Sequence, residues 1–224
     1  MGSWRQYNLV DSASTLQREI FLFHDHAIVV LIGIFTFVAF LGAKLFLNTF
    51  SSRNILEAQT LEIVWTVIPA LILVWLALPS LRLLYLLDEQ SNRGIVLKAV
   101  GHQWYWSYEI PVLDNANFDS YIVPEDELKD GEYRLLEVDN RAVIPFEIET
   151  TVITTSADVL HAWTLPSIGV KIDAVPGRLN RMRMFVEKPG VFYGQCSEIC
   201  GANHSFIPIV VEALDLKDFL SLKL

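Results

Sequence analysis

Two long uncharged apolar runs constrain this chain more than any other feature. Residues 27–43 contain no charged side chain, and a second uncharged run covers residues 63–81. A helix needs about 20 mostly apolar residues to cross a hydrocarbon core, and each run reaches that length with the apolar residues that follow it. A signal peptide is the weaker interpretation of the first run, because the preceding segment carries acids and lacks a compact basic region. The sequence therefore predicts a two-helix transmembrane hairpin.

Charge is divided unevenly along the chain. Residues 1–87 hold five acidic and five basic side chains, whereas residues 88–224 hold twenty-one acidic and twelve basic ones, so the net charge of −9 lies in the C-terminal part. Ten of these acids fall within residues 109–139, where Lys129 and Arg134 are the only bases. This balance argues against a nucleic-acid partner. It favours a basic protein partner, the alternative being an acidic surface that only keeps the domain soluble.

The pattern changes after the second apolar run to short β-rich segments separated by Pro, Gly, Asn and Asp. Several short strands without an intervening helix are typical of a sandwich or small barrel. The predicted strands are 95–100, 133–138, 143–155, 159–165, 181–186 and 206–211, followed by a short surface helix within 214–224. The resulting division is an N-terminal interfacial arm (1–26), a transmembrane helical hairpin (27–87) and a C-terminal all-β domain with its short helix (88–224).

Both cysteines of the chain lie in one short loop, residues 194–204. Cys196 and Cys200 are four positions apart, His204 follows four positions later, and His161 is available upstream. A Cys2His2 set suits zinc in a tetrahedron or copper in a β-barrel, whereas a disulfide would need no histidines. From spacing alone, copper and zinc are equally favoured and a disulfide is less so.

Four aromatic residues are concentrated between Trp104 and Tyr108. In a strand, Trp104, Trp106 and Tyr108 face one side and Tyr105 the other, so at least one large ring is left near the surface. Core packing is the simpler interpretation of each ring taken alone. A cluster beside a metal loop would instead favour recognition or electron transfer.

Glu62 lies at the start of the second apolar run, among leucine, isoleucine and valine. An acid so close to hydrocarbon is costly, which favours a role in a proton or ion path. The alternative is a terminal carboxylate that reaches back to the lipid headgroups.

The chain resembles a known family, mitochondrial cytochrome c oxidase subunit II, along nearly its whole length. The residues that carry the resemblance are the metal loop Gly194 to His204, the aromatic segment Gly101 to Tyr108, the run Ala77 to Arg82 and the segment Pro176 to Asn180. The resemblance implies a hairpin that anchors a cupredoxin-like Greek-key barrel, and a dinuclear copper A centre held by that barrel.

The resemblance also implies which residues bind metal. Cys196 and Cys200 would bridge two coppers, His161 and His204 would each bind one copper, and the backbone carbonyl of Glu198 would cap one of them. The Glu198 carboxylate would bind a magnesium ion shared with subunit I. The chain would accept electrons from cytochrome c and pass them to haem a of subunit I, where oxygen reduction is coupled to proton pumping.

Further roles follow from the same resemblance. Trp104 would receive electrons from cytochrome c with help from Trp106, and Glu62 would lie at the mouth of a proton pathway. Four acids would meet the lysines of cytochrome c: Glu109, Asp119, Asp139 and Asp158. The implied location is the mitochondrial inner membrane, multi-pass, in contact with lipid and other oxidase subunits, with the copper domain in the intermembrane space.

Ile207 departs from the family pattern, which has a methionine as weak axial copper ligand three residues after the last histidine. Loss of the thioether should spare copper binding and raise or distort the redox level. The alternative is a methionine codon, AUA, which many animal mitochondria translate as methionine and the standard code as isoleucine. The chain has three methionines against nineteen isoleucines, which favours this second explanation.

Overall fold

The computed structural model describes residues 9–54, 56–89, 94–113 and 116–222, so residues 1–8 of the predicted N-terminal arm lie outside the described part. The chain forms two compact units. One unit is the helical segment Glu19–Leu87, and the other combines the segments on either side of it.

The helical unit contains two long helices, α1 (Thr15–Phe46, which begins in the other unit) and α2 (Gln59–Asp88). Both are long and apolar enough to cross a membrane. Their apolar side chains point outward, as lipid contact requires: Phe35 is 73% exposed and Leu71 is 63% exposed. The predicted two-helix hairpin is confirmed.

Within the residues that the structure describes, the β unit contains ten strands and a short terminal helix. The strands are β1 (Ile95–His102), β2 (Tyr105–Ile110), β3 (Ala116–Ser120), β4 (Ala142–Pro145), β5 (Thr150–Ser156), β6 (His161–Leu165), β7 (Val170–Ala174), β8 (Asn180–Met184), β9 (Gly190–Gln195) and β10 (Pro208–Leu214), and the helix is α3 (Leu216–Ser221). They form three sheets with the orders β3-β2-β1-β5-β8, β4-β10-β9 and β6-β7. This is the all-β, cupredoxin-like domain that the sequence predicts.

The sheets enclose a core built from alternating side chains. In β2, Trp106 and Tyr108 are buried, whereas Tyr105 and Ser107, which alternate with them, are only partly covered. The indole Nε1 of Trp163, from β6, donates a hydrogen bond to the Tyr108 hydroxyl at 3.1 Å. Burial raises the pKa of that phenol, so it stays protonated and uncharged in the core.

Two predicted strands are wrong in detail. Residues 133–138 form turns, with a single bridge from Val138 to Ile122, because Leu135 adopts a left-handed conformation (φ 64°) that a strand cannot accommodate. The predicted strand 143–155 is divided into β4 and β5 by a turn in which Glu147 also has positive φ (57°). Strands β2, β3, β7 and β9 are not among the predicted ones.

The segment before α1 is hydrogen-bonded to the β unit. The Ala13 amide donates to the Ser167 carbonyl at 2.8 Å, and the Glu187 amide donates to the Ala13 carbonyl at 2.9 Å. The buried Ser14 hydroxyl accepts from the Gln17 amide at 3.0 Å, which caps the first turn of α1. These contacts lie within the unit that contains the strands, since the chain up to Arg18 belongs to it.

Candidate metal centre

Four metal-ligating side chains converge at one end of the β unit. His161 opens β6, Cys196 follows the last residue of β9, Cys200 lies in the next loop, and His204 opens a short 3₁₀ turn (His204–Phe206). Two of the donors therefore come from strands or strand ends, and two from the loop between β9 and β10.

Backbone hydrogen bonds hold this loop in place. The Cys196 amide donates to the Ile207 carbonyl, and the Ser197 amide donates to the Ala162 carbonyl, both at 3.0 Å. Gly194 allows β9 to approach β6 closely, since a Cβ at this position would lie 1.8 Å from a backbone oxygen of β6. The loop is thus tied to both neighbouring strands of the site.

The donor atoms lie close together. Cys196 Sγ is 3.8 Å from His161 Nδ1, and Cys200 Sγ is 3.5 Å from His204 Nδ1. The ligand atoms of His161, Cys196 and Cys200 all lie within 4.8 Å of one another. Both cysteines are buried free thiols. The Cys196 thiol also lies 3.4 Å from the backbone oxygen of Glu198.

These distances fit a metal. Ligands bound at about 2.0–2.3 Å in a tetrahedron lie roughly 3.3–3.8 Å from one another. Two sulfurs, two imidazole nitrogens and one carbonyl oxygen form a soft donor set of the kind that copper and zinc prefer, and that magnesium and calcium do not. The two cysteine–histidine distances therefore suit a soft metal ion such as copper or zinc.

Asp158 orients the buried imidazole of His161. Its Oδ1 lies 2.9 Å from His161 Nε2, so the other ring nitrogen, Nδ1, faces the thiols. Gly101 makes room for the ring, because a Cβ there would lie 2.8 Å from an imidazole carbon. In metal sites, the ring nitrogen of a histidine that does not bind the metal usually forms a hydrogen bond with a carboxylate, which fixes the orientation of the ring.

The surroundings of the two thiols and of Asp158 shift their pKa values. Burial opposes ionisation of Cys196, but hydrogen bonds from His161 and from backbone amides outweigh it and lower the pKa of this thiol to about 7. Burial, and then the nearby Cys196 charge, raise the pKa of Cys200 to about 12. The pKa of Asp158 is lowered, because its hydrogen bonds to His161 and to backbone amides outweigh the effect of burial. Without metal, Cys196 is the sulfur that ionises first.

Gln103 connects the centre to the surface aromatic Trp104. Its side-chain Nε2 donates to the Cys200 carbonyl at 2.7 Å, and its backbone amide donates to Asp158 Oδ2 at 2.6 Å. A Cβ on Gly201 would lie 3.3 Å from the indole Nε1 of Trp104, so this half-buried ring covers the loop directly beside the second cysteine.

Trp106 lies on the inner side of the same centre. It is fully buried, and its ring is 5.9 Å from the His161 ring, edge-on, between centroids. The two tryptophans of this segment therefore both adjoin the candidate ligands, one at the surface and one in the core.

Comparison with known proteins agrees with this architecture. Residues 95–214 match the family described as cytochrome c oxidase subunit II, periplasmic domain, and residues 2–83 match its transmembrane domain. The chain belongs to the cytochrome c oxidase subunit II family. As a member of this family it is a subunit of cytochrome c oxidase.

Individual relatives cover nearly the full length. Cytochrome c oxidase subunit 2 of Albinaria caerulea is 65% identical over 99% of both chains, and that of Choristoneura rosaceana is 53% identical over 99% of this chain and 97% of its own. The crystal structure of the periplasmic domain of subunit II of cytochrome oxidase from Bradyrhizobium japonicum is similar with a TM-score of 0.53 and 46% identity, covering 59% of this chain and 91% of that one.

In this subunit II chain, Glu198 and Ile207 both adjoin the donor cluster but differ in exposure. Glu198 is partly exposed, with its carbonyl toward the Cys196 thiol. Ile207 is fully buried, and its carbonyl accepts from the Cys196 amide. Its branched aliphatic side chain offers no donor atom to a metal.

The four predicted docking acids have different surroundings. Glu109 forms an ion pair with Lys98 at 2.6 Å, whereas Asp119 and Asp139 accept hydrogen bonds from uncharged groups only among the described residues. The Asp158 carboxylate is hydrogen-bonded to His161 and to the Gln103 backbone amide.

Two of these acids lie beside surface aromatics. The Tyr105 ring stacks on Tyr121 at 4.4 Å between centroids, and the backbone amide of Tyr121 donates to Asp139 at 2.8 Å. Asp119 pairs across strands with Ser107, two residues from Tyr105. The outer face of the sheet thus combines stacked rings with carboxylates next to the Trp104 segment.

Glu62 lies in the first turn of α2 and is exposed. Its carboxylate makes no hydrogen bond or ion pair with any residue that the structure describes. An acid in the first turn is favourable to the helix dipole, so this position is compatible with either interpretation of the residue.

The sequence interpretation missed the supporting roles of Gln103, Gly101 and Asp158. A signal for Asp158 was present, because a carboxylate three residues before a ligating histidine in a turn is well placed to bond its far nitrogen. Gln103 and Gly101 carried no such signal, since their role depends on which strands lie next to each other.

Proposed function

We propose that this chain binds a dinuclear copper centre, accepts electrons from cytochrome c, and passes them to haem a of subunit I. The observation that carries the proposal is the convergence of two thiols and two imidazole Nδ1 atoms on a cupredoxin-like domain of this family. The chain itself breaks no substrate bond. Oxygen reduction, coupled to proton pumping, belongs to subunit I.

The proposed copper ligands are the side chains of His161, Cys196, Cys200 and His204, with the carbonyl of Glu198. A copper pair held by these residues would supply one-electron transfer. The protein supplies the fixed position of the cysteine loop, since backbone hydrogen bonds tie Cys196 and Ser197 to the neighbouring segments. Burial of both sulfurs excludes water from them.

We propose that electrons enter through Trp104, with Trp106 assisting. The support is position: the Trp104 ring is half-buried over Gly201, beside Cys200, and Trp106 adjoins His161. Gln103, which precedes Trp104 in the chain, donates from its side chain to the Cys200 carbonyl and from its backbone amide to Asp158.

Cytochrome c docking is proposed for the acidic outer face beside Trp104, through Glu109, Asp119, Asp139 and Asp158. Asp119 and Asp139 keep charges that no cation among the described residues neutralises. Such charges attract a lysine-rich partner and speed its association at low salt.

Two further roles complete the proposal. The Glu198 carboxylate would bind a magnesium ion shared with subunit I, and its partial exposure leaves it accessible to a neighbouring subunit. Glu62 would deliver protons at the loop end of the hairpin. Because magnesium prefers an octahedral set of oxygen ligands, the partner subunit and water would supply the ligands that the Glu198 carboxylate does not.

The proposed setting is the mitochondrial inner membrane, with the copper domain in the intermembrane space. The proposed partners are cytochrome c, subunit I, the other oxidase subunits and membrane lipid, without nucleic acid. We propose that the chain is divided into an interfacial arm (1–26), a membrane hairpin (27–87) and a copper domain (88–224).

A zinc-stabilised binding domain without redox activity is the competing function, because zinc accepts the same tetrahedral donors. Metal analysis and electron spin resonance of the purified oxidase complex separate the two. We expect copper in this subunit, a purple absorption, and hyperfine structure from an electron shared by two equivalent copper nuclei. Zinc at the cysteine loop, without a resonance signal, would overturn the proposal.

A further inference from the structure

A cleft between the two long helices contains unpaired charges of both signs. It has a volume of about 200 Å³ and lies between the first turns of α1 and the last turns of α2. Its lining residues are Glu19, Leu22, Phe23 and His26 from α1, and Pro79, Arg82, Leu83 and Leu86 from α2. In each helix these four residues have the spacing of a single helical face.

The two charged side chains of the cleft do not neutralise each other. Glu19 and Arg82 both line it, but neither side chain forms an ion pair or hydrogen bond with any residue that the structure describes. An oppositely charged pair that shares a cleft without contact leaves room for a ligand between the two charges. Such a ligand would carry a cationic and an anionic group and no net charge.

The position of the cleft indicates a membrane ligand. Glu19 precedes the uncharged run 27–43, and Arg82 directly follows the uncharged run 63–81. The cleft therefore spans the level at which the apolar parts of both helices give way to polar residues, which is where lipid headgroups lie. Leucine and phenylalanine side chains form its walls and can hold the upper part of acyl chains.

We propose that this cleft binds the phosphoethanolamine headgroup of a phospholipid. The Arg82 guanidinium would bind the phosphate through charge-assisted hydrogen bonds, and the Glu19 carboxylate would accept from the primary ammonium. A purely anionic headgroup fits less well, because Glu19 would repel it. A choline headgroup fits less well, because its quaternary nitrogen has no N–H to donate.

The test is native mass spectrometry of the full-length chain, released from micelles that contain equal amounts of phosphatidylethanolamine, phosphatidylcholine and phosphatidylglycerol with the same acyl chains. We expect phosphatidylethanolamine to be retained preferentially. Arg82→Gln and Glu19→Gln should each reduce its occupancy about tenfold or more, as expected for loss of a hydrogen bond to a charged group.

Matched controls come from the loop between the helices. Arg53→Gln and Glu57→Gln remove the same charges outside the cleft and should leave occupancy unchanged. Arg82→Lys keeps the charge and should restore most of the binding. Helix content by circular dichroism, compared across variants, shows that a loss of lipid does not reflect unfolding.

Three results would overturn the assignment. Preferential retention of phosphatidylglycerol would make the cleft an anion site, and equal retention of phosphatidylethanolamine and phosphatidylcholine would remove the role of Glu19. Undiminished binding by folded Arg82→Gln would show that the lipid binds elsewhere. The measurement does not involve copper, so its outcome is independent of the proposed electron transfer.

Discussion

Asp158 Oδ1 lies 2.9 Å from His161 Nε2, and this contact determines which nitrogen of the imidazole faces the two cysteines. The second oxygen of the same carboxylate accepts the Gln103 amide at 2.6 Å. One side chain thus supports both a candidate copper ligand and the segment that carries Trp104. Asp158 was expected only to meet cytochrome c, and its contacts give it a second, internal role.

Asp158→Ala should weaken copper retention by about 10–100-fold, the usual cost of removing the outer partner of a ligating histidine. Asp158→Asn should lose less, because its amide oxygen can still accept from His161 Nε2. Copper content is measured during titration with a chelator. Asp119→Ala removes an acid that does not contact a ligand and serves as control. Equal retention by wild type and Asp158→Ala would refute the supporting role.

Trp104→Phe should slow cytochrome c oxidation by the assembled complex while leaving copper content and the copper absorption spectrum unchanged. The reason is that the ring covers the loop beside Cys200 but contributes no ligand. Tyr105→Phe, at the next position, is the matched control. An unaltered oxidation rate in Trp104→Phe would show that electrons enter by another route.

The docking acids should contribute unequally. Asp139→Asn should raise the KM for cytochrome c and flatten its dependence on ionic strength, because Asp139 keeps an unneutralised charge. Glu109→Gln should have a smaller effect, since Lys98 already compensates that charge. Glu212→Gln, an acid paired with Arg141, is the control. Steady-state rates that do not respond to salt would contradict an acidic docking face.

The identity of residue 207 can be measured directly. A peptide mass spectrum that covers this position distinguishes isoleucine from methionine, and we expect methionine. If isoleucine is found, the codon explanation fails, and Ile207→Met should then lower the reduction potential without changing copper content, because a thioether would offer the metal one more weak ligand. The buried site should accept the exchange at a cost below about 1.5 kcal/mol, since the volumes are similar.

Glu62→Gln should slow turnover of the complex if the carboxylate delivers protons. The variant keeps the size of the side chain and removes only its ionisation. Glu57→Gln, an acid in the loop before α2, is the control. Turnover equal to wild type would leave Glu62 as a helix-terminal acid at the headgroup level.

The sequence predicted those elements that depend mainly on residues close together in the chain. The two uncharged runs were sufficient to predict the hairpin, because a membrane span depends on length and apolarity alone. The cysteine loop was recognisable because its three donors lie within nine residues, from Cys196 to His204. The turn at 133–138 was missed because four of its six residues are aromatic or aliphatic, as in a strand, whereas the left-handed conformation of Leu135 interrupts extended backbone.

The sequence by itself therefore determined the membrane hairpin and the β-rich domain, and it indicated the candidate metal donors. Only the tertiary structure decided that Gln103 bonds both Asp158 and the Cys200 carbonyl, and that Glu19 and Arg82 line one cleft. In the candidate metal centre, these hydrogen bonds join residues that are 55 and 97 positions apart in the sequence. In the hairpin, the cleft brings together residues from two different helices. Strand register and helix packing bring them together, and neither can be deduced from spacing along the chain.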